Sequence, residues 1–72
     1  MRKTPAFHGS ALKRLRETKG LTVQELSYRA HITTASIYNM ERGDTEPKAQ
    51  TLMRLSQALG VGMEAFFREQ VT

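Results

Sequence analysis

Apolar residues recur along this chain at intervals of three and four, and a glycine closes each of three such stretches. The clearest case is Leu52, Leu55 and Leu59 ahead of Gly60. That spacing lines one face of an α-helix, and a glycine just past the end supplies the left-handed residue on which many helices stop. No stretch alternates with period two for long enough to propose a strand, so the pattern predicts five helices and an all-α fold.

The first helix covers about Ser10 to Lys19, with Ala11, Leu12 and Leu15 on one side, Lys13, Arg14 and Arg16 largely around the rest, and Gly20 as its stop. Thr22 opens the second, because its hydroxyl can accept from the amide three residues on, where Glu25 completes a capping box. Leu26 and Ala30 mark the inner face of this helix. After a break near His31, Thr33 caps a third helix from Thr34 to about Arg42, which turns Ile37 and Met40 inward, with Ser36 a further inward candidate, and ends at Gly43. Beyond the acidic loop that contains Asp44, Glu46 and Pro47, a fourth covers about Lys48 to Leu59. The last, roughly Met63 to Gln70, buries Met63 and one or both of Phe66 and Phe67. With only about three residues between the second and third helices, the two must cross sharply, which is helix-turn-helix geometry over about 22–42.

Length holds the fold to one domain, since a core drawn from 72 residues is already small. Its expected extent is 10–70, preceded by an arm at 1–9. The absence of cysteine removes disulfides and thiolate metal sites, and two separate histidines, His8 and His31, form no ligand set, so no metal or cofactor is expected. No apolar run approaches the roughly 20 residues of a membrane helix, and the first residues lack an apolar signal core. The expected home is the reducing cytoplasm.

Charge then sharpens the picture. The formal net charge is +4, and residues 1–30 hold seven of the eleven basic side chains but only two of the seven acidic ones. A basic half suits a polyanion such as nucleic acid, although charge of this size also serves solubility. Against this background the segment from His31 to Met40 is free of Asp, Glu, Lys and Arg. A neutral run of that length also arises by chance in a chain one-quarter charged.

From Leu21 to Phe67 the chain resembles the Cro/C1-type, or xenobiotic-response-element, helix-turn-helix domain. The matching features are GLT at 20–22, Glu25 with Leu26, SIYNMERG at 36–43, Pro47 and LMRLSQALGVGMEAFF at 52–67, with Leu12, Leu15 and Arg16 fitting the first helix. The resemblance implies a compact five-helix bundle of the lambda-repressor-like type, its third helix in the DNA major groove and its second across the phosphate backbone. The neutral segment then becomes the reading surface, since short donors, acceptors and methyls read base edges while charges serve the flanking strands.

On that reading Thr34, Ala35, Tyr38 and Asn39 contact bases. Asn39 can donate to N7 and accept from N6 of an adenine, and Ala35 and the Thr34 methyl can touch thymine methyls. The phosphate candidates are Thr33, Ser36, Arg42, the Gly43 amide, Lys48 and Arg16, together with the amides from Thr22 to Gln24. Arg16 and Glu41 match the family's ion pair between the first helix and the end of the third; a solvated surface arginine is the alternative for Arg16. Arg2 and Lys3 precede the first helix and add nonspecific attraction or simply fray. Four positions depart from the family pattern: Val23 stands where a phosphate-clamping Gln is usual, His31 where the turn glycine is usual, Ser27 where alanine is usual, and the loop after Gly43 is acidic where relatives are often basic.

The leading function is a sequence-specific transcriptional regulator that binds double-stranded DNA in the cytoplasm, nucleoid-associated, as a homodimer on an inverted repeat. Met63, Phe67 and Val71 fit either the dimer interface or the core. The alternative is a protein-interaction module, antitoxin-like or an adaptor, on the same fold. Neither an enzyme nor a membrane-surface role is expected: no acid orients either histidine in a catalytic arrangement, and the apolar face of the first helix is needed for the core.

Overall fold

The computed structural model describes residues 6–67, in the order α1 (Gly9–Thr18), α2 (Val23–Ala30), α3 (Thr34–Arg42), α4 (Ala49–Leu59) and a closing 3-10 helix (Met63–Phe67). The chain is all-α in the lambda-repressor-like arrangement, as expected, and α1, α2, α3 and α4 lie within a residue of their expected bounds. The fifth element differs in kind. Ala65 N–H donates to the Gly62 carbonyl at 3.1 Å, the tighter three-residue spacing. Residues 68–70 of the expected fifth helix, Val71, Arg2 and Lys3 lie outside the described residues.

Local chemistry starts and stops each of the central helices. Thr22 Oγ1 accepts from Glu25 N–H at 3.0 Å while Glu25 Oε1 accepts from Thr22 N–H at 2.8 Å, the expected reciprocal cap. Thr33 Oγ1 accepts from Ser36 N–H at 3.2 Å. Gly43 and Gly60 end α3 and α4 at φ 83° and 69°, where a Cβ is strained. The Thr22 backbone N–H first and then the Thr22 side chain, with the charge of Arg29 beyond, hold the Glu25 carboxyl below its ordinary value. A carboxylate depressed in the folded state stabilises above its unfolded pKa and stops doing so as pH falls through its folded one. Glu25→Ala should therefore lower Tm at neutral pH, and the gap should close in acid below the ordinary carboxylate range; thermal melts at stepped pH check this.

The core is drawn from every element: Leu12, Leu26, Ile37, Leu55 and Phe66 are fully buried. Val23 lies in it as well, which gives the missing polar clamp a structural use. Two expected core positions are corrected. Ser36 is exposed, and Met63 is 41% exposed, because the 3-10 geometry turns Phe66 inward in its place. The fold also reaches into the expected arm, where Phe7 packs on the core and His8 N–H donates to the Phe66 carbonyl at 2.9 Å. Gly9, buried at the start of α1, is there for clearance. A Cβ at this position would collide with the Met40 carbonyl oxygen and lie 2.7 Å from that of Glu41, so glycine lets α1 abut the end of α3.

Candidate nucleic-acid interface

Two devices set the pose of α3 on the bundle. The first is the turn that delivers it. His31 occupies the left-handed region at φ 58°, ψ 46°, so histidine does take the conformation usually given to glycine. Ser27 closes the same turn from both sides: its carbonyl accepts from Ile32 N–H at 3.2 Å, and its hydroxyl donates to the Ile32 carbonyl. Serine in place of alanine thus ties the last turn of α2 to the residue before the cap of α3.

The second device is an ion pair at the far end of α3. Arg16 Nε donates to Glu41 Oε2 at 2.7 Å and Nη2 to Oε1 at 3.2 Å, a bidentate contact, while Nη1 donates to the Leu21 carbonyl at 2.8 Å. The hydrogen bond and the charge of Glu41 raise Arg16 above its already high ordinary value against the opposing effect of burial, so it stays charged at any working pH. Arg16 is 8% exposed, which corrects the solvated surface arginine: its guanidinium is turned into the protein.

With Ile37 and Met40 buried on the inner side, α3 presents Ala35 and Tyr38 outward, Tyr38 being 46% exposed, and leaves Thr34 and Asn39 half-buried at the edges of that face. None of the four is charged. Around them the expected phosphate groups divide. Gln24 and Lys48 are exposed, Lys48 at the start of α4. Ser36 lines one cleft with Ile32, Pro47, Lys48 and Thr51, and its hydroxyl oxygen accepts from the Thr33 hydroxyl at 2.9 Å, so the Thr33 proton is spent and the Ser36 proton can point out.

Two amides are already engaged. Gly43 N–H donates to the Met40 carbonyl at 3.1 Å. Thr22 N–H is held by Glu25, so the amides of Val23 and Gln24 remain at the opening of α2. Arg42 Nε donates to Asp44 Oδ2 at 3.0 Å and Nη2 to Asn39 Oδ1, contacts that sequence reasoning did not find.

A model of the helix-turn-helix family HTH_3 matches residues 12–66, the stretch that contains the turn, the ion pair and α3. The chain belongs to the Cro/C1-type helix-turn-helix family. One relative in the family, the uncharacterized HTH-type transcriptional regulator y4dJ of Sinorhizobium fredii (strain NBRC 101917 / NGR234), is 43% identical over 53 residues, which span 74% of this chain and 69% of its own. The restriction-modification controller protein C.AhdI from Aeromonas hydrophila superposes with TM-score 0.79 at 25% identity, over 82% of this chain and 89% of its own. SinR, a master regulator for biofilm formation solved in complex with DNA, superposes with TM-score 0.78 at 28% identity, over 83% and 97%.

Proposed function

We propose that this protein is a sequence-specific DNA-binding transcriptional regulator that lays α3 in the major groove and acts as a homodimer on an inverted repeat. The observation that carries the reading is the two-sidedness of α3: Ile37, Met40 and the Glu41 ion pair fix one side, and the other is uncharged, with Ala35 and Tyr38 outward and Thr34 and Asn39 at its edges. A helix so fixed brings short donors, acceptors and methyls to base edges in a set order. Family membership and the likeness to SinR, solved in complex with DNA, support DNA binding.

In this reading Asn39, Thr34, Ala35 and Tyr38 meet bases. The amides of Val23 and Gln24, the Thr22 hydroxyl, Gln24, Ser36 and Lys48 meet phosphates, and Arg16 serves as a positioning residue. Because one α3 spans few base pairs, twofold pairing with half-sites about one helical turn apart extends the site. Met63 is the exposed apolar side chain at the closing helix that such pairing would cover, while Phe67 is half-buried against Phe7 with ring centroids 6.4 Å apart.

Selection of preferred duplexes from a random pool tests the reading. A symmetric site bound with strong salt dependence is expected. Asn39→Ala should then lose about tenfold to a hundredfold in discrimination at one base step, the range of a bidentate contact. If the chain ignores DNA at low salt, the protein-interaction alternative takes its place.

A further inference from the structure

Arg42 stands in the last turn of α3 as an exposed arginine, yet two of its three guanidinium nitrogens face back onto the protein. Its partner Asn39 lies three residues earlier on the same helical face. Gly43, at φ 83°, reverses the chain so that the Asp44 carboxylate returns to Arg42 Nε, and Asp44 N–H donates to the Asn39 carbonyl at 2.9 Å. Asn39, Arg42 and Asp44 therefore form a closed hydrogen-bonded unit at the edge of the proposed reading face.

We propose that Arg42, held by Asp44, is a positioning residue that fixes which end of the Asn39 amide faces a base and so sharpens adenine over guanine at that step. The inference rests on the DNA-reading role of α3 proposed above. A guanidinium donates only, so the amide must turn its oxygen toward Arg42. That oxygen has two lone pairs: one accepts from Arg42 and the other remains for the adenine N6 amino group, while Nδ2 donates to N7. Guanine presents acceptors at both N7 and O6, so an oxygen locked in this place meets O6 lone pair against lone pair. Without Arg42 the amide can flip and offer its NH2 group at the O6 side.

This role is separable from that of a phosphate clamp. Loss of a phosphate contact weakens every sequence alike and lowers the salt slope by about 0.9. Loss of an orienting contact changes a ratio between bases. Binding should be measured for the parent, Arg42→Ala, Arg42→Lys and Asp44→Ala on the selected duplex and on its adenine-to-guanine variant at the step Asn39 reads, across a salt series. Arg42→Ala should reduce adenine preference about tenfold, the lower end of what a bidentate pair provides, with the salt slope kept. Arg42→Lys should do the same, because lysine keeps the charge but not the planar fork. Asp44→Ala should shift the ratio in the same direction by less. In the Asn39→Ala background, Arg42→Ala should change the ratio no further.

Uniform weakening with a reduced slope, or an unchanged ratio, overturns the positioning role while leaving DNA reading intact. A parent that fails to bind DNA, or whose base preference survives Asn39→Ala, overturns the reading beneath it and the inference with it.

Discussion

Glu41→Ala should lower the free energy of unfolding by about 3–5 kcal/mol, the usual cost of removing one member of a buried ion pair. The side chains of Arg16 and Glu41 are only 10% and 7% exposed, so the substitution strands a charged guanidinium with the Leu21 carbonyl as its remaining partner. Small domains hold about 5–15 kcal/mol in total, so a loss of this size brings the chain close to its unfolding midpoint. The double variant Arg16→Met, Glu41→Leu should recover most of the loss, since replacing both charges by apolar groups is often neutral or better. Urea denaturation of the three proteins decides the point. A cost under about 1 kcal/mol for Glu41→Ala would mean that the pair behaves like a solvent-screened surface contact. The pair joins α1 to the end of α3, so its main service is orientation. The double variant should fold and yet read DNA less selectively.

Phe66→Ala should cost about 3–5 kcal/mol, as full truncation of a buried aromatic side chain does. Phe66 is wholly buried, its ring lies 6.1 Å from that of Phe7, and its carbonyl accepts from His8 N–H. One residue of a five-residue helix thereby clips the beginning of the fold to its end. Met63→Ala in the same helix should cost far less, and within about 0.5 kcal/mol when the melts are run at concentrations too low for pairing, the usual range for surface positions. Equal effects at the two positions would mean that the closing helix is not docked as described.

How much of this was legible in the sequence depends on the range of the interaction. The caps at Thr22 and Thr33 and the stops at Gly20, Gly43 and Gly60 act within a few residues, and they placed the four α-helices correctly. The Arg16–Glu41 pair came from the resemblance, because nothing local joins residues 25 apart. Gly9 was missed for the same reason: its need for a bare Cα arises from the carbonyls of Met40 and Glu41, far along the chain. The parts played by Ser27 and Arg42 rest on hydrogen bonds that exist only once the turn at His31 and the reversal at Gly43 bring partners together. Had the reversal been followed through, the spacing of Asn39, Arg42 and Asp44 would have been the available signal. The closing helix was legible in place but not in kind, since five residues hold too little periodicity to separate α from 3-10 winding.

The uncharged outer side of α3 as the surface that meets base edges is tested most directly by amide NMR of the isotope-labelled chain titrated with its selected duplex. The account predicts the largest shifts at Thr34, Ala35, Tyr38 and Asn39, with secondary changes at the opening of α2 and at Ser36 and Lys48. Shifts gathered instead around Tyr28, which is 84% exposed on α2, and around Arg54 on α4, with α3 unmoved, would contradict it.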